Sequence, residues 1–180
     1  RGRLFEYDDQ GKMVFAFGGN GNMDGYFIRP TAIEHMDTDL YVLDGVDCSI
    51  TRFVTTEFGQ TVFDAIHEFD QGHYDKSGEL WQKAMDINGN YDLAYIGIGR
   101  SLLRQEQYEE AMGYFELKMD DDNYSKAFKQ YRKIWVEENI KWIIIVLAVV
   151  IFVPFIIGKI KSIRHEIDTA DIFTKDWGKK

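Results

Sequence analysis

Arg100 and Arg104 are the side chains of this 180-residue chain whose type and spacing point most directly to recognition chemistry. Four residues apart on a helix they share a face, and two neighbouring guanidinium groups can clamp a carboxylate. With Leu93 and Ile96 they make up a candidate partner groove. The competing reading is a solvated face with Glu106 nearby. Other clusters lead nowhere chemically. The GGNGN run at 18–22 has phosphate-loop composition, but no helix follows it and a turn is expected. Asp120, Asp121, Asp122 and Asn123 offer oxygen ligands for calcium without the loop spacing, central glycine or distal glutamate of a calcium loop, so a solvated acidic helix end is expected. His35, His67, His73 and His165 share no metal-ligand spacing, and Ser49 and Ser101 lack a GxSxG elbow. Cys48 is the only cysteine, which rules out an internal disulfide and a CxxC site. No catalytic residue, cofactor site or metal site is expected.

The elements that would position Arg100 and Arg104 belong to a chain with two electrical halves. Residues 1–125 carry 10 Lys and Arg against 24 Asp and Glu, while residues 126–180 carry 11 against 6. An acidic body repels a phosphate backbone, so nucleic acid is excluded as a partner. The basic half contains residues 142–158, WIIIVLAVVIFVPFIIG, seventeen positions without a charge. At about 1.5 Å each they reach roughly 25 Å, near the lower limit for a bilayer core, and Ile140 and Ile160 extend the run. A single transmembrane helix over 142–160 is therefore expected, with the lipid bilayer as a partner. Trp142, Lys141, Lys159 and Lys161 are its interfacial anchors, and Pro154 is a point where it can kink. Arg132, Lys133 and Lys141 before the span balance Lys159, Lys161 and Arg164 after it, so charge alone leaves orientation open. Residues 161–180 form a basic juxtamembrane tail.

Between 58 and 123 the chain repeats itself. QGHYDKSGELWQKAM aligns with QEQYEEAMGYFELKM at an offset of 34 residues, pairing Tyr74 with Tyr108, Ser77 with Ala111, Trp81 with Phe115 and Met85 with Met119. Upstream, Ala65 pairs with Gly99 and Phe69 with Leu103. Small residues where helices approach and an aromatic in the adjacent gap make a helix pair, and the pattern resembles two tetratricopeptide repeats. Asp64 departs from that pattern, and Gly89 and Asn123 stand where its terminal proline would be. Helices are expected at 58–71, 74–87, 91–105 and 108–120. Two repeats need a cap. Tyr124, Ala127, Phe128, Tyr131 and Trp135 form an amphipathic stripe that supplies one over 124–141, with Lys126, Lys129 and Lys133 off it, and no Pro or Gly separates this helix from the span.

Residues 1–57 have strand spacing instead. Strands are expected at 4–7, 12–17, 31–34, 40–43 and 49–54, separated by DDQG, DTD and DGVDC turns. FIRPTAI, DLYVLD and SITRF resemble the NHL-type β-propeller repeat. That resemblance implies less than two blades, a missing fourth strand after Val54, and a chain that is an internal fragment of a longer protein.

The fold class expected is thus multi-domain: a partial all-β propeller of NHL-like blades, α-helical tetratricopeptide repeats, and one transmembrane helix. This order of parts resembles bacterial multi-domain membrane proteins of the Yip1 family. The resemblance implies a membrane-anchored protein-interaction scaffold associated with an envelope transport system. Protein partners would bind at the repeat groove or propeller surface, a transporter among them. Residues 1–141 would lie outside the cytoplasm and 159–180 inside it. The alternative is a membrane-tethered propeller lyase, which would need a cluster of inward-facing histidines and acids; His35 is the single strand histidine.

Overall fold

Two small antiparallel sheets precede five helices in the computed structural model, which describes residues 2–36 and 38–177, with side chains described as far as Arg164. Strands β1 (Arg3–Tyr7) and β2 (Met13–Gly18) form a hairpin with Leu4 opposite Phe17 and Glu6 opposite Phe15. Its turn is set by Asp8, whose carboxylate accepts from the backbone of Gln10 at 3.0 Å and of Lys12 at 2.8 Å, while Gly11 takes φ +75°. Strands β3 (Pro30–Met36), β4 (Asp39–Asp44) and β5 (Ser49–Phe53) form a meander. β3 outruns its expected 31–34 because Leu40 and Asp39 continue the pairing to His35 and Met36.

Alternation along β4 sends Leu40, Val42 and Asp44 inward. Leu40 and Val42 join buried Phe27, with Leu4, Phe17 and Phe53 packed around them. Buried Asp44 pairs with no cation among the described residues. Its two oxygens accept from the backbone N–H groups of Ile28 (2.6 Å), Arg29 (3.0 Å), Val46 (2.8 Å) and Asp47 (3.2 Å), tying the approach to β3 to the β4–β5 turn. The two sheets do not close into a ring among the described residues.

Helices α1 (Glu57–Asp70), α2 (Tyr74–Ile87), α3 (Asp92–Arg104) and α4 (Tyr108–Leu117) begin within a residue of the four repeat helices expected, and α5 (Asp121–Trp177) follows. Thr56 caps α1 by accepting from Gly59 N–H at 3.2 Å. Ser77 and Ala111 are both fully buried, and Ser77 donates to the Ala65 carbonyl at 2.8 Å, pinning α2 to α1. Trp81 and Phe115 are buried over glycines. A Cβ on Gly97 would stand 2.4 Å from the Trp81 ring, and one on Gly99 would stand 2.7 Å from the Phe115 ring.

Two expectations about the far end of the repeats need correction. α4 stops at Leu117 rather than near 120, because Met119 turns left-handed at φ +53° and Asp120 N–H closes on the Phe115 carbonyl at 2.9 Å. Asp120 then accepts from Asn123 N–H and Nδ2, so the acidic run opens α5 instead of ending α4, a placement the helix dipole favours. The stripe on α5 also packs less than expected. Tyr124 and Ala127 reach the cluster of Ala111 and Phe115, whereas Phe128 is 44% exposed, since ten-residue α4 offers no further surface.

The chain forms two compact units, residues 1–130 and 131–180. The first holds both sheets, the repeats and the opening turns of α5; the second is the remainder of α5. α5 continues through Pro154 without a break. Over 121–164 this helix is long and apolar enough to cross a membrane. Residues 178–180 of the expected tail lie outside the described residues, as do the side chains beyond Arg164.

Candidate protein-interaction groove

In the first unit the β1–β2 hairpin lies against the first helices of both repeats. Val14 is buried in one cluster with Val62, Ala65, Trp81, Ala84, Ala94 and Ile98. Phe15 meets Phe58 and Phe63 edge-on and stacks on Tyr91. The Tyr91 hydroxyl donates to the Val14 carbonyl at 2.8 Å, and burial, with Glu6 and Asp8 nearby, pushes its pKa up. The hairpin turn continues over α3: Asp8, Asp9 and Gln10 share a tight cleft with Phe69, Leu93, Gly97 and Arg100. Part of the inner surface of the repeats is therefore filled by the chain itself.

Beyond the turn the surface opens into a groove of about 540 Å3. Arg100 and Arg104 from α3 line it with Lys126, Asn123 and Gln130 from α5, Tyr108 from the start of α4, and Gln10 from the hairpin. Arg100 is held on two sides. Its guanidinium lies 4.5 Å from the centre of the Phe69 ring and donates to the Gln10 amide oxygen at 2.7 Å. Burial lowers the Arg100 pKa, against the pull of Asp8, Asp70 and Asp120. Arg104 is exposed at the groove wall. Burial likewise lowers Lys12, which stands 3.9 Å from Asp120. Three cations, Arg100, Arg104 and Lys126, thus face one concavity in which, among the described residues, Glu106 is the single lining acid.

Of the four groove residues expected from sequence, the structure brings Arg100 and Arg104 together. Leu93 lies under the hairpin turn, and Ile96 packs towards Ala111 and Phe115. Gln10, Tyr108, Asn123 and Lys126 were not anticipated in the groove. Lys126 carried a signal in lying off the apolar stripe, but Gln10 is 90 positions from Arg100 and had none. The residues expected as membrane anchors, Lys141, Trp142, Lys159 and Lys161, are all exposed on α5, with Trp142 at 68%. Among the described residues no three His, Cys, Asp or Glu side chains converge as a metal site.

Over 104 residues, 57% of its length, the chain is 29% identical to Tetratricopeptide repeat protein 6 of Homo sapiens. It spans 20% of that protein. No protein-family model matches the chain, and no solved structure matches it. The likeness agrees with helical repeats of the tetratricopeptide kind, which are in general protein-binding modules.

Proposed function

We propose that the chain is a membrane-anchored protein-interaction scaffold whose groove between α3 and α5 receives an acidic stretch of a partner polypeptide. The observation that carries this reading is the convergence of Arg100, Arg104 and Lys126 on one open groove within an otherwise acidic body. An arginine already desolvated gains more from a carboxylate than one in bulk water, and the planar fork fits two oxygens at once. The hairpin and α1 support the same reading, since they preset Arg100 through Gln10 and Phe69 respectively and so lower the ordering cost of binding. The role is one of binding; no catalytic step is assigned to any residue.

The finer parts of the proposal rest on resemblance. The five strands would belong to an NHL-type propeller completed by other chain segments, and the whole would serve a bacterial envelope transport system as in Yip1-family proteins, with a transporter among its partners. The apolar stretch of α5 would span the lipid bilayer between Lys141 and Lys159, leaving residues 1–141 outside the cytoplasm.

Fluorescence anisotropy of the full chain in lipid nanodiscs tests the groove. A labelled acidic peptide should bind, and a peptide with Glu and Asp replaced by Gln and Asn should not. Arg104→Glu should weaken the acidic peptide by at least about tenfold, the scale of one charge-assisted pair. Equal binding of both peptides, or of both proteins, would refute the assignment.

A further inference from the structure

A second concavity lies between the two sheets and the start of α1. It encloses about 310 Å3 and is lined by Phe15 and Phe17 of β2, Leu40 of β4, Phe53 of β5, and Phe58 and Phe63 of α1. Glu6 and His35 are its ionisable groups, and Thr38, Thr55 and Thr56 are its other polar side chains. The threonines are spoken for in part: Thr55 donates to the Thr38 carbonyl at 2.6 Å, and Thr56 caps α1. Glu6 makes no hydrogen bond or ion pair among the described residues.

Glu6 reaches this position because β1 alternates. Leu4 and Glu6 face inward while Phe5 and Tyr7 face out, so a carboxylate occupies a slot that the pattern reserves for an apolar residue. Opposite it across the hairpin is Phe15. Burial raises the Glu6 pKa and His35 pulls it back. Glu6 is half-buried, so its carboxylate keeps access to water beside the rings and is free to pair with an incoming cation.

From the five phenylalanines and the unpaired carboxylate we infer that this cleft is a binding site for a small organic cation with an apolar or aromatic body, such as an aryl-alkyl ammonium. A pocket of this size with an apolar lining and one or two convergent polar groups suits a small molecule. Rings attract a cation through their negative faces, and Glu6 supplies the opposite charge. The site is separate from the arginine groove, which has the opposite sign, so either assignment can fail alone.

The probe is benzyltrimethylammonium, titrated by heteronuclear NMR into the isotope-labelled full chain in nanodiscs, against its uncharged carbon isostere neopentylbenzene. Benzyltrimethylammonium should shift the amide signals of residues 15–17, 53–59 and 63 together, and bind at least about tenfold more tightly than neopentylbenzene. Glu6→Gln should erase that preference while leaving the melting temperature within a few degrees. Phe53→Leu, which keeps the charge and removes a ring, should weaken the cation more than the neutral compound. Absence of binding, shifts confined to other residues, or equal affinity for cation and isostere in the unmodified chain would overturn the inference.

Discussion

Replacing Gly97 or Gly113 with alanine adds the same methyl group to the interior of a helix, yet the two changes should move stability in opposite directions. Glycine in a helix is worse than alanine by about 1 kcal/mol, because it loses more backbone freedom on folding. At Gly113 of α4 an added Cβ meets nothing within 4 Å, so Gly113→Ala should collect that gain in full. At Gly97 of α3 the Cβ would lie 2.4 to 2.5 Å from three atoms of the Trp81 indole. Trp81 is 3% exposed, and α1, α2 and α3 pack around it, so the ring has little room to retreat. Overpacking costs about 1–3 kcal/mol, and with three ring atoms this close the cost falls in the upper part of that range, about 2–3 kcal/mol, which leaves a net loss of about 1–2 kcal/mol after the helix term. For a unit of this size a change of 1 kcal/mol moves the melting temperature by roughly 3–6 °C. Thermal unfolding of the full chain in detergent micelles, followed by circular dichroism, should therefore show Gly113→Ala melting a few degrees higher and Gly97→Ala several degrees lower. If Gly97→Ala melts at or above the parent protein, the close approach of α3 to Trp81 is wrong, and with it the physical basis of the repeat pairing.

Ala111→Leu should destabilise the repeats by about 1–3 kcal/mol, because Ala111 is fully buried against Phe115 and Ala127, while Glu109→Leu on the exposed face of α4 should change little; equal shifts in denaturant midpoint would contradict the packing. At Asp44 burial alone would raise the carboxyl pKa, but four backbone N–H groups outweigh it and hold it at about 2, below its ordinary 3.8. Its contribution is therefore complete above about pH 4 and lost as pH falls towards 2. Loss of structure at Ile28, Arg29 and Val46 over that window, followed by amide NMR, should disappear from the pH profile of Asp44→Asn. For orientation, Cys48 is exposed in the β4–β5 turn, so a membrane-impermeant thiol reagent should label it on intact cells if residues 1–141 are outside; labelling only after lysis would reverse the topology.

Local periodicity and covalent order are legible in the sequence alone. The 34-residue offset located α1 to α4 because helix pairing needs small residues at crossings and aromatics beside them, and both are written in residue type. The apolar stretch of α5 was equally plain, since seventeen uncharged residues leave a helix no polar face. Strand alternation placed Leu40 and Val42 on one face of β4. What alternation could not say is which surface that face would meet. Val14 and Tyr91 are 77 positions apart, and Gln10 and Arg100 are 90 apart. Neither pair shares a helix or a ladder, so no period links them. An apolar face is complementary to any apolar face, and packing geometry decided that the β1–β2 hairpin covers Leu93 and braces Arg100. The same nonlocal packing separated the arginine groove from the phenylalanine cleft and placed Glu6 in the latter. Residue order determined the elements because their hydrogen bonds and side-chain periods are local, and tertiary structure decided the sites because each is assembled from elements far apart in the chain.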